Sequence, residues 1–130
     1  AYVDRYAADL VEMLGLVAAA GGVSVIAHPW GRHSRTTLDA GGFAELKRAG
    51  LVGLEVDHQD HDEAARSQLR ELATGLGLVV TGSSDYHGQG KADCPLGVNT
   101  TEPDELQALL SAASASSTAS GRTTPAPVMP

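Results

Sequence analysis

Apolar residues recur three or four apart at Val3, Ala7, Leu10, Leu14 and Val17, which predicts a helix over Tyr2–Ala20 with one apolar stripe. Gly21 and Gly22 end it. The pattern then changes. "VSVIA", Val23–Ala27, is a short β-rich apolar run and predicts a buried strand. The polar stretch "HPWGRHSRTTLDAGG" predicts a loop, and Phe43–Ala49 a short helix closed by Gly50. The unit repeats with "LVGLEV" as a strand, "DHQDHD" as a loop, and a helix over about Glu63–Leu76. Ala65, Leu69, Leu72 and Leu76 share one face of that helix, Asp60 or Asp62 is placed to cap it, and Gly77 closes it. "LVVTG" predicts a third strand and "PLGVNT" a short fourth. "TEPDELQALLSAA" predicts a last helix, with Thr101 as its cap and Pro103 and two acids in its first turn.

Strands alternating with helices predict an α/β fold with three to four parallel strands. The strands show little alternation, as expected when both faces are covered. From Ser111 onward the chain thins to Ser, Ala, Thr and Pro, so the predicted domain is 1–113 and 114–130 a disordered tail. A complete (β/α) barrel needs roughly 200 residues or more. With 130 residues beginning at Ala1, the chain has the rhythm of part of a barrel and is expected to be a piece of a longer protein.

Composition narrows the function classes. The chain is 42% hydrophobic and 19% charged, the balance of a globular protein, and has no apolar run near the ~20 residues of a membrane span. No membrane partner is expected. The single cysteine, Cys94, excludes an internal disulfide and fits a reducing, cytoplasmic location. A formal charge of −7 argues against a general nucleic-acid-binding surface, though not against a small basic pocket.

The five histidines are placed non-randomly. His28 follows the first strand, with His33 in the same loop; His58 and His61 follow the second; His87 follows the third, two residues after Asp85. None falls on a predicted helix or ahead of a strand. In parallel α/β folds the C-terminal strand ends converge and sites are built there. Asp85 and His87, two apart in an extended segment, face the same way, and imidazole with carboxylate suits Zn, Mn or Fe(II). Taken alone, "DYH" equally describes a hydrogen-bonded pair closing a turn; His28, His58 and His61 on neighbouring strand ends tip the reading toward metal. Pro29 holds His28 at its strand end. The pair in "HQDH" can supply metal ligands, phosphate contacts or a proton donor, or can be a solvent-facing helix entry. Glu55 reads as easily as an outer-face salt bridge as a site residue, and Trp30 as core cover. Arg32, Arg35 and Lys91 place cations in the same loops, which suggests an anionic substrate such as phosphate, Arg32 foremost because Gly31 precedes it. "GQGK" lacks the Walker spacing, no nucleophile elbow surrounds Ser83 or Ser84, and Cys94 has no base beside it.

"GGVSVIAHPWGR", "GLEVDHQDH" and "LVVTGSSDYHGQGK" followed by "LG" resemble, in order and spacing, the C-terminal half of the PHP (polymerase and histidinol phosphatase) family, and its small stand-alone phosphoesterases in particular. The resemblance covers about Ala20–Thr101. It implies the C-terminal part of a distorted (β/α)7 PHP barrel holding two or three divalent ions (Mn, Zn or Fe). It implies His28, Asp85 and His87 as metal ligands, Arg32 and, more weakly, Lys91 as contacts to substrate phosphate, and His58 and His61 as a catalytic or phosphate-contacting pair, one of which can serve instead as a metal ligand or proton donor. The implied activity is metal-dependent hydrolysis of a phosphate ester, on a small phosphorylated substrate such as a nucleotide or an oligonucleotide end. The family's N-terminal "HxH" and "SDG" motifs have no counterpart, since no histidine precedes His28. The chain alone is therefore expected to be inactive. Two other readings remain: a degenerate PHP module with a structural or interaction role, and a metal-dependent C–N hydrolase, which the loop cations disfavour.

Overall fold

The computed structural model describes residues 9–31, 38–89 and 94–122. Helix α1 (Leu10–Ala19) starts at Asp9, whose carboxylate accepts the Glu12 N–H. The residues before it, where the helix was expected to begin, lie outside the described set. Only Leu14 of α1 is buried; Leu10 and Leu16, on or beside the predicted stripe, are exposed. Strand β1 (Ser24–Ile26) follows, then α2 (Ala40–Arg48), which Asp39 caps through the Gly42 N–H. Strand β2 (Leu51–Asp57) leads to α3 (Glu63–Leu76), and strand β3 (Val79–Gly82) is followed, after a long connection, by α4 (Pro103–Ala119).

Of the two carboxylates placed to cap α3, Asp62 does so, accepting the Ala65 N–H at 2.7 Å. Gly77 closes the helix in the left-handed conformation that its missing Cβ makes cheap.

The three strands form one parallel sheet in the order β1-β2-β3. Register pairs Ile26 with Leu54 and Leu54 with Val80, so the central strand is flanked on both sides. Its faces bury Leu51, Leu54 and Val56 against Phe43 and Leu46 of α2, Leu69 and Ala73 of α3, and Leu78 and Val80. Trp30 packs at the margin of this core, 6.2 Å from the Phe43 ring, and donates its indole N–H to Leu38 O. It is core cover, as its sequence context suggested.

Two expectations are corrected. "PLGVNT" is not a strand: residues 95–100 run as turns. It meets the end of β3 through side chains instead, with Ser84 Oγ donating to Asn99 O and accepting the Asn99 N–H, both at 3.0 Å. Gly82 sits against this segment so closely that a Cβ there would lie 2.2 Å from Thr100 O. Thr101 does not cap α4, whose N-cap Glu102 makes no side-chain capping bond. The Thr101 hydroxyl goes to Gly82, accepting its N–H at 3.0 Å, and Glu105 accepts the Val80 N–H at 3.0 Å. These two side chains satisfy the outer N–H groups of β3, which has no strand on that side among the described residues.

The predicted tail boundary at 113/114 also moves, because α4 continues to Ala119. Ala and Ser are tolerable helix residues, and here Ser116 Oγ donates to Gly22 O at 2.7 Å while Ser117 is buried. The helix thus gains tertiary contacts that composition does not reveal. Residues 123–130 lie outside the described set. Among the described residues no helix is long and apolar enough to cross a membrane.

Candidate functional site

The C-terminal ends of the three parallel strands lie side by side, and each leads into part of one cluster. β1 ends at Ile26, two residues before His28. The His28 N–H donates to Glu55 Oε1 at 3.0 Å, so Glu55 of β2 anchors the first strand-end turn instead of facing outward in a salt bridge. His28 has φ 27° and Asp85 φ 51°, the only two non-glycine residues with positive φ among the described set. Both are candidate ligands; positive φ is uncommon outside glycine, though less so for Asp and His than for most residues. The turn after His28 closes with Gly31 N–H to His28 O at 2.9 Å. Gly31 is buried, and a Cβ there would meet Asp60 Oδ2 at 2.8 Å and His28 Nδ1 at 3.3 Å. Glycine at this position therefore keeps open a narrow space between a carboxylate and an imidazole.

His58 is the hub. It is 1% exposed, its ring lies 4.7 Å from that of His28 and 6.2 Å from that of His61, and its Nε2 faces Asp85 Oδ2 at 3.4 Å. Its Nδ1 accepts the Asp60 N–H at 3.0 Å. Nε2 is buried without a hydrogen-bond partner, the only such side-chain atom among the described residues. A buried polar atom left unpaired is costly and points to a partner nearby.

His61 is placed differently. Its Nε2 accepts the Trp30 N–H at 3.1 Å, and its Nδ1 therefore carries the hydrogen that goes to Val56 O at 2.8 Å. Both nitrogens are committed to backbone. Expected beside His58 as a catalytic or phosphate-contacting residue, it presents no free nitrogen and instead braces the β1 turn against β2. Burial is the main cause that lowers its pKa below the ordinary 6.5, opposed by the Val56 bond and aided by the nearby His58 and Arg66 charges.

His87 is half exposed and lies beside Asp85, with Nδ1 against the Asp85 carbonyl oxygen and 3.6 Å from Oδ1. That contact leaves Nε2 with its lone pair, the arrangement used by a metal-bound histidine whose other nitrogen donates to a carbonyl. Ser83 Oγ accepts the Asp85 N–H at 3.1 Å, and Ser84, buried on the Asn99 segment, fixes the adjacent backbone. Arg32, Arg35, His33 and Lys91 lie outside the described residues.

Asp85, His28 and His87 are oxygen and imidazole donors of the type that Zn, Mn and Fe(II) accept, and Asp85 lies between two imidazoles. Among the described residues, however, no three His, Cys, Asp or Glu side chains converge as a complete cage. The set fits part of a metal centre.

The sequence reading missed Arg66. Its Nε donates to His61 O at 3.0 Å, one terminal nitrogen to His58 O at 2.8 Å, and the other to Asn99 Oδ1 at 3.3 Å. One guanidinium thus ties the His58 loop to the segment that supports Asp85. A signal existed: a cation near a helix start opposes the helix dipole, so Arg66 needed another reason to be there.

No family model matches the chain. It is 41% identical over 81 residues to a phosphoribosyl 1,2-cyclic phosphate 1,2-diphosphodiesterase of Eggerthella lenta, an overlap covering 62% of this chain and 29% of that protein. It is 30% identical over 96 residues to a 3′,5′-nucleoside bisphosphate phosphatase of Chromobacterium violaceum, covering 74% of this chain and 34% of that one. Among solved structures, a protein of Bifidobacterium adolescentis provisionally assigned as a metal-dependent phosphoesterase matches with a TM-score of 0.75 at 33% identity, over 85% of this chain and 39% of that one. The chain spans about a third of the length of the relatives it matches, and its sequence and fold are similar to part of a phosphoesterase.

Proposed function

We propose that this chain carries part of the active site of a metal-dependent phosphoesterase of PHP type, and that its three strands belong to the family's distorted barrel. One observation carries the reading: His28, His58 and Asp85, far apart in sequence, meet at the C-terminal ends of three consecutive parallel strands. The matched relatives act on phosphate esters, which supports the same reaction class here. Two or three divalent ions, when bound, would lower the pKa of water and neutralise charge developing on phosphate. His28, Asp85 and His87 would hold them. Arg32 and Lys91 would contact substrate phosphate from the same loops, Arg32 through the two-pronged geometry of a guanidinium. Gly31 leaves the site open beside His28. The substrate class is a small phosphate ester, a nucleoside bisphosphate or a cyclic phosphate by likeness to the relatives, and an oligonucleotide end by the family resemblance. The chain alone is expected not to turn over, because its described donors do not complete a cage.

The test is phosphate release from nucleoside 3′,5′-bisphosphates and ribose cyclic phosphates by the gene product as encoded, with Mn²⁺. Asp85→Ala should lower turnover by more than the roughly 10–100-fold typical of losing an outer partner of a metal ligand. Turnover that survives both Asp85→Ala and chelation would sink the proposal.

A further inference from the structure

We infer that His58 is a positioning residue and not a metal ligand: its imidazole is held as the Nε2–H tautomer and directs that hydrogen at Asp85, orienting the carboxylate. What Asp85 does with that orientation rests on the function proposed above; the tautomer itself does not.

A backbone amide can only donate. Asp60 N lies 3.0 Å from His58 Nδ1, so Nδ1 must present a lone pair. In a neutral imidazole the hydrogen is then on Nε2. That atom is buried, has no hydrogen-bond partner, and faces Asp85 Oδ2 at 3.4 Å. A shift of about 0.5 Å in the half-exposed carboxylate would bring the pair to charge-assisted hydrogen-bond length. For Nε2 to ligate a cation, the hydrogen would have to move to Nδ1, where it would point at the Asp60 N–H. The loop that presents this amide is itself held, because Arg66 donates to the carbonyls of both His58 and His61. His87 supplies the internal contrast: its Nδ1 lies against a carbonyl, which leaves Nε2 available as a donor to metal. Two histidines flank Asp85 with opposite tautomers, one suited to orient it and one suited to bind beside it.

The first test is the two-bond ¹H–¹⁵N spectrum of the chain's histidine rings at neutral pH, without metal and with Zn²⁺ added alone. His58 is expected as Nε2–H in both conditions. An Nδ1–H pattern, or an Nε2 resonance that moves to a metal-bound position with Zn²⁺, overturns the inference. The second test compares Zn²⁺ affinity, by competition with a chromophoric chelator, in His58→Ala and His58→Gln. Ala should weaken Zn²⁺ by about 10–100-fold. Gln, which places an N–H near the position of Nε2–H, should recover most of that loss, whereas a Gln variant no better than Ala contradicts the role. Far-UV circular dichroism checks folding, and if either variant fails to fold the wild-type spectrum decides. A wild-type chain with the Nε2–H tautomer but no Zn²⁺ response at Asp85, His28 or His87 would count against the proposed function and leave the tautomer assignment intact.

Discussion

Replacing Arg66 by Met should be among the most destabilising single changes to this site. Met keeps the aliphatic stem and deletes the guanidinium. Three acceptors lose their donor: His58 O at 2.8 Å, His61 O at 3.0 Å and Asn99 Oδ1 at 3.3 Å. A hydrogen bond to a charged group contributes about 1.5–3 kcal/mol. The first two have full-strength geometry and the third is longer and weaker, so simple addition would give about 4–7 kcal/mol. Arg66 is only half-buried, and water can replace part of what is lost, which brings the expectation to about 2–3 kcal/mol. Lys at 66 offers one point charge where two carbonyls and an amide need a fork, so Arg66→Lys should recover less than half. Urea unfolding monitored by circular dichroism gives both values from the midpoint and slope. An Arg66→Met loss below about 0.5 kcal/mol, the scatter of ordinary surface substitutions, or a Lys variant equal to wild type, would refute the clamp.

Two further outcomes follow from the same geometry. Thr101→Val should cost about 1–2 kcal/mol and Thr101→Ser little, because the hydroxyl accepts the Gly82 N–H; amide exchange at Gly82 should quicken in Val alone. The lowered pKa of His61 means that the unfolded chain takes up a proton there before the folded one does. Its contribution to stability is therefore present above the unfolded value of 6.5 and is lost as pH falls from there toward the depressed folded value. His61→Gln should flatten the stability–pH curve below 6.5 relative to wild type, and an unchanged slope in urea titrations would contradict this.

The sheet was legible because its strands are short apolar runs set between glycines and polar loops, and β2 and β3 fall within a residue or so of where the pattern puts them. The placement of His28, His58 and Asp85 was legible for the same reason, since a parallel sheet converts strand ends into neighbours. What periodicity cannot carry is the fate of individual polar atoms. His61 and His58 sit three apart in one loop, yet backbone amides and carbonyls consume both nitrogens of one and leave Nε2 of the other unpaired. Thr101 has the residue type and position of a helix cap but meets a nearer demand, the outer N–H of Gly82. The extension of α4 to Ala119 depends on Ser116 reaching Gly22, a contact between residues 94 apart that no local window contains.

The left-handed backbone at His28 and Asp85 has a consequence for how this sequence can change. Such conformations cost of order 1–3 kcal/mol each in a non-glycine residue and persist only where the surroundings enforce them. Glycine at either position would relieve that cost. Under selection for thermal stability alone, both positions would drift away from the donors the proposed chemistry needs. Under the proposed function, His and Asp at these two φ angles exchange robustness for reactivity.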